Sequence, residues 1–131
     1  MADNKLFYLV LRLAVAASLL GHGLVRLPKL TVFSNWMVTQ FEKSMLPGIA
    51  VRIFSYCLPF LEFSIGLLLM LGLFTRIASV AGGLVMVLLI FGSTMIENWE
   101  ILPSQLIHAA FCAALLYYIA YNEYALDNIL N

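Results

Sequence analysis

Four long apolar segments make up most of the chain, and they constrain its fold more than any other feature. They lie near residues 6–27, 49–74, 76–96 and 103–121. Each is close to the ~20 residues that a helix needs to cross a ~30 Å hydrocarbon core. The segments predict an all-α fold, a four-helix transmembrane bundle that forms a single domain over residues 1–131.

The composition supports a membrane protein. Hydrophobic residues make up 63% of the chain and charged residues 11%, whereas soluble domains average about 25% charged residues. Seven basic and seven acidic residues give a net charge of zero, so no basic field favours nucleic acid and no polybasic tail favours anionic lipid. The first segment contains Arg12 and lacks a small-x-small cleavage site, and we expect it to be retained rather than removed as a signal peptide.

Aromatic residues support the same division of the chain. Tyrosines gather towards the two termini, and tryptophans lie in the first and third connections: Tyr8, Tyr117, Tyr118, Tyr121, Tyr124, Trp36 and Trp99. Two such groups are expected at the two membrane interfaces. The basic residues leave the orientation in the membrane open.

The first connection is the only long one. Phe33, Met37, Phe41 and Met45 recur in it at four-residue spacing. This pattern favours a short amphipathic helix in the membrane interface, between the first and second spans. An irregular loop that caps the bundle is the alternative.

Charged side chains inside the apolar segments are the first candidates for chemistry. A carboxylate such as Glu62, deep in an apolar run, costs roughly 3 kcal/mol on insertion scales, so it must face a partner or a cavity. Arg12, Gly23 and Arg26 share one helical stripe of the first segment. Segment centres put Arg12 roughly 6 Å in depth from Glu62, which predicts an ion pair between them. Such a pair either serves chemistry or only locks two helices together.

The two histidines are the next candidates. His22 and His108 lie roughly 9 Å and 6 Å from mid-membrane, towards the side of the first connection. A headgroup from that side would meet His22, then His108, then Glu62. A histidine exchanges protons near neutral pH, although a hydrogen bond to a neighbouring helix is the more ordinary role for His108.

Two other chemistries are not expected. Cys57 and Cys112 are single thiols in separate segments with no CxxC motif, so we interpret both as packing residues rather than a redox pair. His22 and His108 differ in depth, which disfavours axial ligation of a haem. Small residues spaced four apart in the third and fourth segments, such as Ala78 with Gly82, predict close helix packing.

Several motifs together resemble the DoxX family of small four-helix membrane proteins. They are Arg12, GHGLVRLPK from residue 21, the Glu62 to Arg76 string EFSIGLLLMLGLFTR, a fourth span with His108, and the closing YNEYALDNIL. The resemblance implies a multi-pass protein of the bacterial inner membrane. Some members of the family look like membrane subunits of quinone-linked oxidoreductases, including thiosulfate:quinone oxidoreductase. The basic residue that follows HG in the family corresponds here to Arg26 or Lys29.

The residues and the resemblance together predict a membrane subunit of a quinone-linked oxidoreductase that binds an isoprenoid quinone in a polar pocket inside the bundle. The expected catalytic residues are His22, Glu62 and His108. The expected cofactor-binding residues are Arg12, His22, Arg26, Glu62 and His108. We expect no metal and no haem, and electrons would come from a redox or membrane protein partner. A homo-oligomer and activity of the chain alone both stay open. The alternative is a non-enzymatic scaffold subunit or small lipophile carrier, in which the charges only specify helix pairing.

Overall fold

The computed structural model describes residues 1–130, and no strand occurs in that range. The helices in chain order are α1 (Ala2–Arg26), a 3-10 turn (Leu27–Lys29), α2 (Leu30–Gln40), α3 (Gly48–Leu71), α4 (Thr75–Met95), α5 (Leu102–Tyr117), a second 3-10 turn (Ile119–Tyr121) and α6 (Leu126–Leu130). The all-helical prediction is confirmed, and each predicted segment corresponds to one of the helices α1, α3, α4 and α5.

Three of the four apolar helical segments are longer than the fourth, α5. Within residues 1–130, three helical segments are long and apolar enough to cross a membrane: Ala2–Gln40, which is α1 continued through the 3-10 turn into α2, and then α3 and α4. The apolar helix α5 has 16 residues and is therefore about 24 Å long. It ends at Tyr117, before the predicted limit of 121, because the chain passes there into a 3-10 turn.

Two glycines bring α1 and α3 into close antiparallel contact. A Cβ added to Gly23 would lie 2.6 Å from the backbone nitrogen of Phe63, and one added to Gly66 would overlap the backbone of Leu20. Small residues at a crossing let two helix backbones approach each other. These contacts fix the register of the two helices, with Gly23 beside Phe63 and Leu20 beside Gly66.

The predicted helix in the first connection is present as α2, so the loop alternative is wrong. Phe33, Ser34 and Met37 form its buried face, and α2 packs against the N-terminal half of α3, where Ser34 Oγ lies 2.6 Å from Ser55 Oγ. Met45 was predicted to share this face, but it lies beyond the end of the helix and is 85% exposed. The position of α2 in a membrane interface stays a prediction.

Small residues of α4 pack against α5, as predicted, whereas Ala110 and Ala113 of α5 are exposed, contrary to the prediction. Ala78 and Gly82 are buried, and a Cβ added to Gly82 would lie 3.0 Å from Cys112 Sγ. Cys112 is therefore a packing residue. The same interpretation is wrong for Cys57, which is exposed on the outer face of α3. Tyr8 is likewise buried rather than in an exposed belt, and its hydroxyl donates a 2.8 Å hydrogen bond to the carbonyl of Leu115.

The C-terminal segment caps the start of α4. Asp127 Oδ1 accepts the backbone N–H of Phe74 at 2.6 Å, and Oδ2 accepts that of Thr75 at 2.9 Å. A carboxylate at a helix N-terminus satisfies free N–H groups and complements the helix dipole. Gly72 has φ of 68° in the preceding turn, where glycine carries no steric penalty.

These contacts also set the charge of Asp127. Burial alone would raise the pKa of this carboxyl, but hydrogen bonds from Thr75 and Phe74 and the positive charge of Arg12 outweigh it. The net effect holds the pKa of Asp127 below its usual value.

Candidate functional site

A cavity of about 430 Å³ lies inside the bundle. One end is lined by Glu62 and His108, in the middle of α3 and α5, and by His22 and Arg26, in the last two turns of α1. Gln40 and Asn98 line the other end, beside the loops. Much of the wall between is apolar: Leu19, Phe33, Met37, Phe54, Leu58 and Met86. The cavity therefore has a polar inner end and an apolar body, in the size range of small-molecule sites.

An ion pair between Arg26 and Glu62 forms part of the inner end. Arg26 Nη1 donates to Glu62 Oε1 at 2.9 Å and to Oε2 at 2.8 Å. The Glu62 side chain is 3% exposed and that of Arg26 is 26% exposed. The guanidinium also lies 4.5 Å from the ring centroid of Phe33, a cation–π contact. Glu62 thus has the partner that its burial requires, and Arg26 rather than Lys29 supplies it.

The predicted ion pair between Arg12 and Glu62 is wrong. Contact between Gly23 and Phe63 puts Glu62 beside the last turn of α1, which contains Arg26. Arg12 lies 14 residues before Arg26 in α1, which is about 21 Å along the helix. The depth prediction failed because α1 continues into α2, so the centre of the first apolar segment does not face the centre of the second.

Arg12 instead binds the C-terminal segment at the opposite end of the bundle. Its Nη1 donates to Asn122 Oδ1 at 2.6 Å, and its Nη2 donates to the carbonyl of Tyr124 at 2.8 Å. Asn122 Nδ2 in turn donates to Thr75 Oγ1 at 3.0 Å. Arg12 was predicted to bind cofactor, but it does not line the main cavity. Its contacts position the segment that caps α4.

His22 has one ring nitrogen available to a ligand. Its Nδ1 lies 2.6 Å from the carbonyl of Ser18, and because a carbonyl only accepts, Nδ1 carries the hydrogen. In the neutral ring Nε2 is then an acceptor. Within residues 1–130 no hydrogen bond reaches that nitrogen, and His22 lines the cavity.

Both ring nitrogens of His108 are engaged. Nδ1 donates to the carbonyl of Ser104 at 2.7 Å, so Ser18 Oγ donates to Nε2, at 2.6 Å. The rings of His108 and His22 are 6.3 Å apart at their centroids, edge to face. His108 also lines a second cavity of about 160 Å³ between α1 and α5. His108 therefore lies in the wall that separates the two cavities, and its hydrogen bond with Ser18 links α5 to α1.

Gln105 is a cavity residue that the sequence analysis missed. Its Oε1 is buried and accepts no hydrogen bond from any residue in the range 1–130, and its side chain lines the cavity. The available signal was its position three residues before His108, on the same face of α5. Ser18, which contacts both histidines, was missed as well.

The structure thus brings together His22, Arg26, Glu62 and His108 around one cavity and leaves Arg12 outside it. In the described part of the chain, no group of three or more His, Cys, Asp or Glu side chains is arranged to hold a metal ion. The arrangement can hold the polar head of an amphiphile at its inner end and apolar atoms along the rest of its length.

Comparison with known proteins gives one match. The model of the DoxX family matches residues 7–95, a range that contains nearly all of α1 and the whole of α2, α3 and α4. No curated protein and no solved structure matches the chain.

Proposed function

Because the chain belongs to the DoxX family and is a multi-pass integral membrane protein, we propose that it is the membrane subunit of a quinone-linked oxidoreductase. It binds an isoprenoid quinone in the main cavity, in the bacterial inner membrane. The observation that carries this proposal is the inner end of the cavity, where His22 and the Arg26–Glu62 pair lie together next to an apolar body.

The shape and chemistry of the cavity suit an amphiphile with a small polar head. The headgroup lies at the inner end, where His22 Nε2 offers a hydrogen-bond acceptor and Arg26 offers donors. The first units of the tail pack on the walls formed by Met37, Phe54 and neighbouring residues. Pockets of this kind bind by apolar contact and orient the ligand through a few polar groups.

The residues differ in what they can do with a proton. Both carboxylate oxygens of Glu62 accept a hydrogen bond from Arg26, so Glu62 is already engaged by a protein partner. Both nitrogens of His108 are already bonded. His22, with Nε2 facing no protein donor in residues 1–130, is the group best placed to exchange a proton with a headgroup oxygen.

The electrons come from outside this chain. A quinone takes up two electrons and two protons when it is reduced to the quinol, and we assign the electron donor to a redox protein or a membrane protein partner. A homo-oligomer is compatible with the small residues on the outer face of α5, such as Ala110 and Ala113, which are exposed.

The proposal is tested by extracting the protein in mild detergent and identifying bound lipids and proteins by mass spectrometry. Quinone should copurify in near-stoichiometric amount with wild type. His22→Ala should weaken binding of a short-tail quinol analogue about tenfold, because Nε2 can accept a hydrogen bond from a quinol hydroxyl and the variant loses that contact. Thr39→Ala is the control, because Thr39 lies on α2, outside the cavity lining, and bonds only within its own helix.

The alternative function predicts a different result. If the chain is a scaffold subunit, partner proteins copurify without quinone, and wild type and His22→Ala show equal affinity for the analogue or none. If it is a carrier of another lipophile, that lipid appears in the spectrum in place of quinone.

A further inference from the structure

We propose that the apolar tail of the ligand leaves the main cavity sideways, through an opening between α3 and α4 that faces the hydrocarbon core of the bilayer. We call this opening the lateral portal. Its rim is formed by Ala50 and Phe54 of α3 and by Leu88 and Phe91 of α4. The inference rests on the proposed function, since it concerns the ligand of the same cavity, and it adds where the chain of that ligand binds.

A row of four residues on α3 leads from the inner end of the cavity to this rim. Its members all line the cavity and follow one another at four-residue spacing: Glu62, Leu58, Phe54 and Ala50. Four residues make one turn plus about 40°, so the row winds by about 120° around α3 over its length of about 18 Å. Glu62 and Leu58 are buried, whereas Phe54 is half-buried and Ala50 is exposed. The row therefore starts in the core of the bundle and ends at its outer surface.

The middle of this row faces α4. Ile65 marks that face of α3, because a Cβ added to Gly82 of α4 would lie 3.5 Å from Ile65 Cγ2. Phe54 lies 11 residues before Ile65, which is about three full turns, so both side chains are on the same face of α3. The outer end of the row therefore lies along the gap between α3 and α4.

The opposite side of the portal is a flank of α4. Gly83 marks the flank towards α5, because a Cβ there would lie 3.7 Å from Cys112 Cβ. Leu88 comes five residues later and is rotated by about 140° from Gly83, so it lies on the flank away from α5. One turn further on, a Cβ added to Gly92 would lie 3.2 Å from Phe41 Cζ. Phe41 therefore closes the gap on the side of the loops.

The depth of the rim places the portal in hydrocarbon. Leu88 and Phe91 line the cavity, yet they are 56% and 53% exposed. They lie seven and four residues before the end of α4 at Met95, which is about 10 Å and 6 Å along the helix. Because α4 is long and apolar enough to cross a membrane, apolar side chains exposed at that depth contact lipid chains.

The end of the cavity beside the loops does not suit an apolar chain. Among its exposed lining residues, Gln40 ends α2, Asn98 lies in the connection between α4 and α5, and Ser104 lies in the first turn of α5. A hydrocarbon chain that left between these polar groups would become exposed to water. The lateral portal has no polar residue in its rim.

The size of the cavity requires an exit for the tail. Its volume of about 430 Å³ lies towards the lower end of the ~300–1,000 Å³ range of small-molecule sites. This space holds a quinone ring and the first units of its tail, whereas an isoprenoid tail of many units is longer than the cavity. A tail that crosses the portal keeps its outer units in hydrocarbon, so its apolar surface stays out of water along its whole length.

The first experiment compares one quinone with and without its tail. Radiolabelled benzoquinone with no tail or with a long isoprenoid tail is bound to wild type and variants in nanodiscs, and protein-free nanodiscs give the background. Ala50→Trp and Leu88→Trp fill the portal and should each weaken long-tail binding on the order of tenfold through loss of apolar contact, with little change for the tail-free quinone. Leu84→Trp is the matched control, because Leu84 lies one turn away on α4, is 59% exposed and does not line the cavity.

A second experiment locates the tail in wild type, so it does not depend on the folding of a variant. A long-tail quinone carries a photoreactive diazirine about 18 Å from its ring, which is the length of the row on α3. After illumination in nanodiscs, mass spectrometry identifies the labelled residues. The labels should fall on the rim and disappear in the presence of excess unlabelled long-tail quinone. A phospholipid with the same diazirine in its acyl chain is the comparison probe.

Three results would overturn the portal and leave the proposed function standing. In the first, Ala50→Trp and Leu88→Trp weaken both quinones equally or neither of them. In the second, the quinone labels Ile107 or Phe111, which line the smaller cavity between α1 and α5, instead of the rim. In the third, the phospholipid labels the rim and excess quinone does not displace it. Binding of neither quinone to wild type would overturn the portal and the proposed function together.

Discussion

The Arg26–Glu62 pair gives the sharpest test of the helix register. We consider three single variants in detergent, Arg26→Gln, Glu62→Gln and Arg12→Gln, and the two double variants that contain Glu62→Gln. The structure predicts that Glu62 is energetically coupled to Arg26 and not to Arg12, the partner expected from the sequence.

The expected losses in the free energy of unfolding follow from how deeply Glu62 and Arg26 are buried. Glu62 is 3% exposed at its side chain, so Arg26→Gln leaves a buried carboxylate without its counter-charge. That loss typically costs about 3–5 kcal/mol, with the upper end reached only if the carboxylate stays ionised. Glu62→Gln costs less, about 1–3 kcal/mol, because Arg26 is 26% exposed and keeps access to water. In the double variant two amides face each other, so its cost should be smaller than the sum by at least about 1.5 kcal/mol.

Arg12 supplies the matched comparison. Arg12→Gln removes hydrogen bonds to Asn122 and Tyr124 and should destabilise the protein by about 1–3 kcal/mol by itself. Glu62 lies level with Leu24 of α1, because Gly23 contacts Phe63, and Arg12 is therefore about 18 Å from it along the helix axis. At that separation the effect of Arg12→Gln should add to that of Glu62→Gln within about 0.5 kcal/mol.

The free energy of unfolding of each variant is measured by titration with SDS in mixed micelles, followed by circular dichroism. Additive effects of Arg26→Gln and Glu62→Gln would refute the pair. Coupling between Arg12 and Glu62 of more than about 1 kcal/mol would refute the register of α1 against α3.

Three further predictions concern packing, capping and the thiols. Gly23→Ala should destabilise the bundle by about 1–3 kcal/mol, since its Cβ would lie 2.6 Å from the backbone of α3, whereas Gly21→Ala, with nothing within 4 Å, should be neutral in the same SDS titration. Asp127→Ala should remove a cap worth about 1 kcal/mol. Because the pKa of Asp127 is lower in the folded protein, this contribution is complete above its unfolded value of 3.8 and is lost as the pH falls through the folded pKa. The difference in melting temperature between wild type and Asp127→Ala should therefore shrink below about pH 4, and a constant difference would contradict the cap. A Cys57→Ala, Cys112→Ser variant should keep native assembly and quinone binding, and loss of binding in a folded variant would revive thiol chemistry.

Local periodicity predicted which faces of the helices turn inwards. The stripe that contains Arg12, Gly23 and Arg26 does face the bundle, and the spacing of Phe33 and Met37 correctly indicated a helix in the first connection. Such faces follow from 3.6 residues per turn alone, so they need no knowledge of neighbouring helices.

The identity of the cavity residues was only partly predictable. His22, Arg26, Glu62 and His108 were candidates because polar groups in apolar segments are rare and costly. Gln105 and Ser18 were missed, since an uncharged polar side chain in an apolar helix gives no such signal. Their roles depend on hydrogen bonds across α1 and α5, such as the one from Ser18 to His108.

The sequence by itself determined the helical class, the family and the inventory of polar groups, because hydropathy and helical periodicity are local properties. Only the tertiary structure decided which partner each charged side chain binds. Partner choice depends on the register of α1 against α3, which is set by the close contact of Gly23 with Phe63 and Gly66 with Leu20. Those contacts join residues about 40 or more positions apart in the chain. A shift of one helical turn moves a side chain about 5.4 Å, more than a hydrogen bond can span, so the register alone assigned Glu62 to Arg26 and Arg12 to the C-terminal segment.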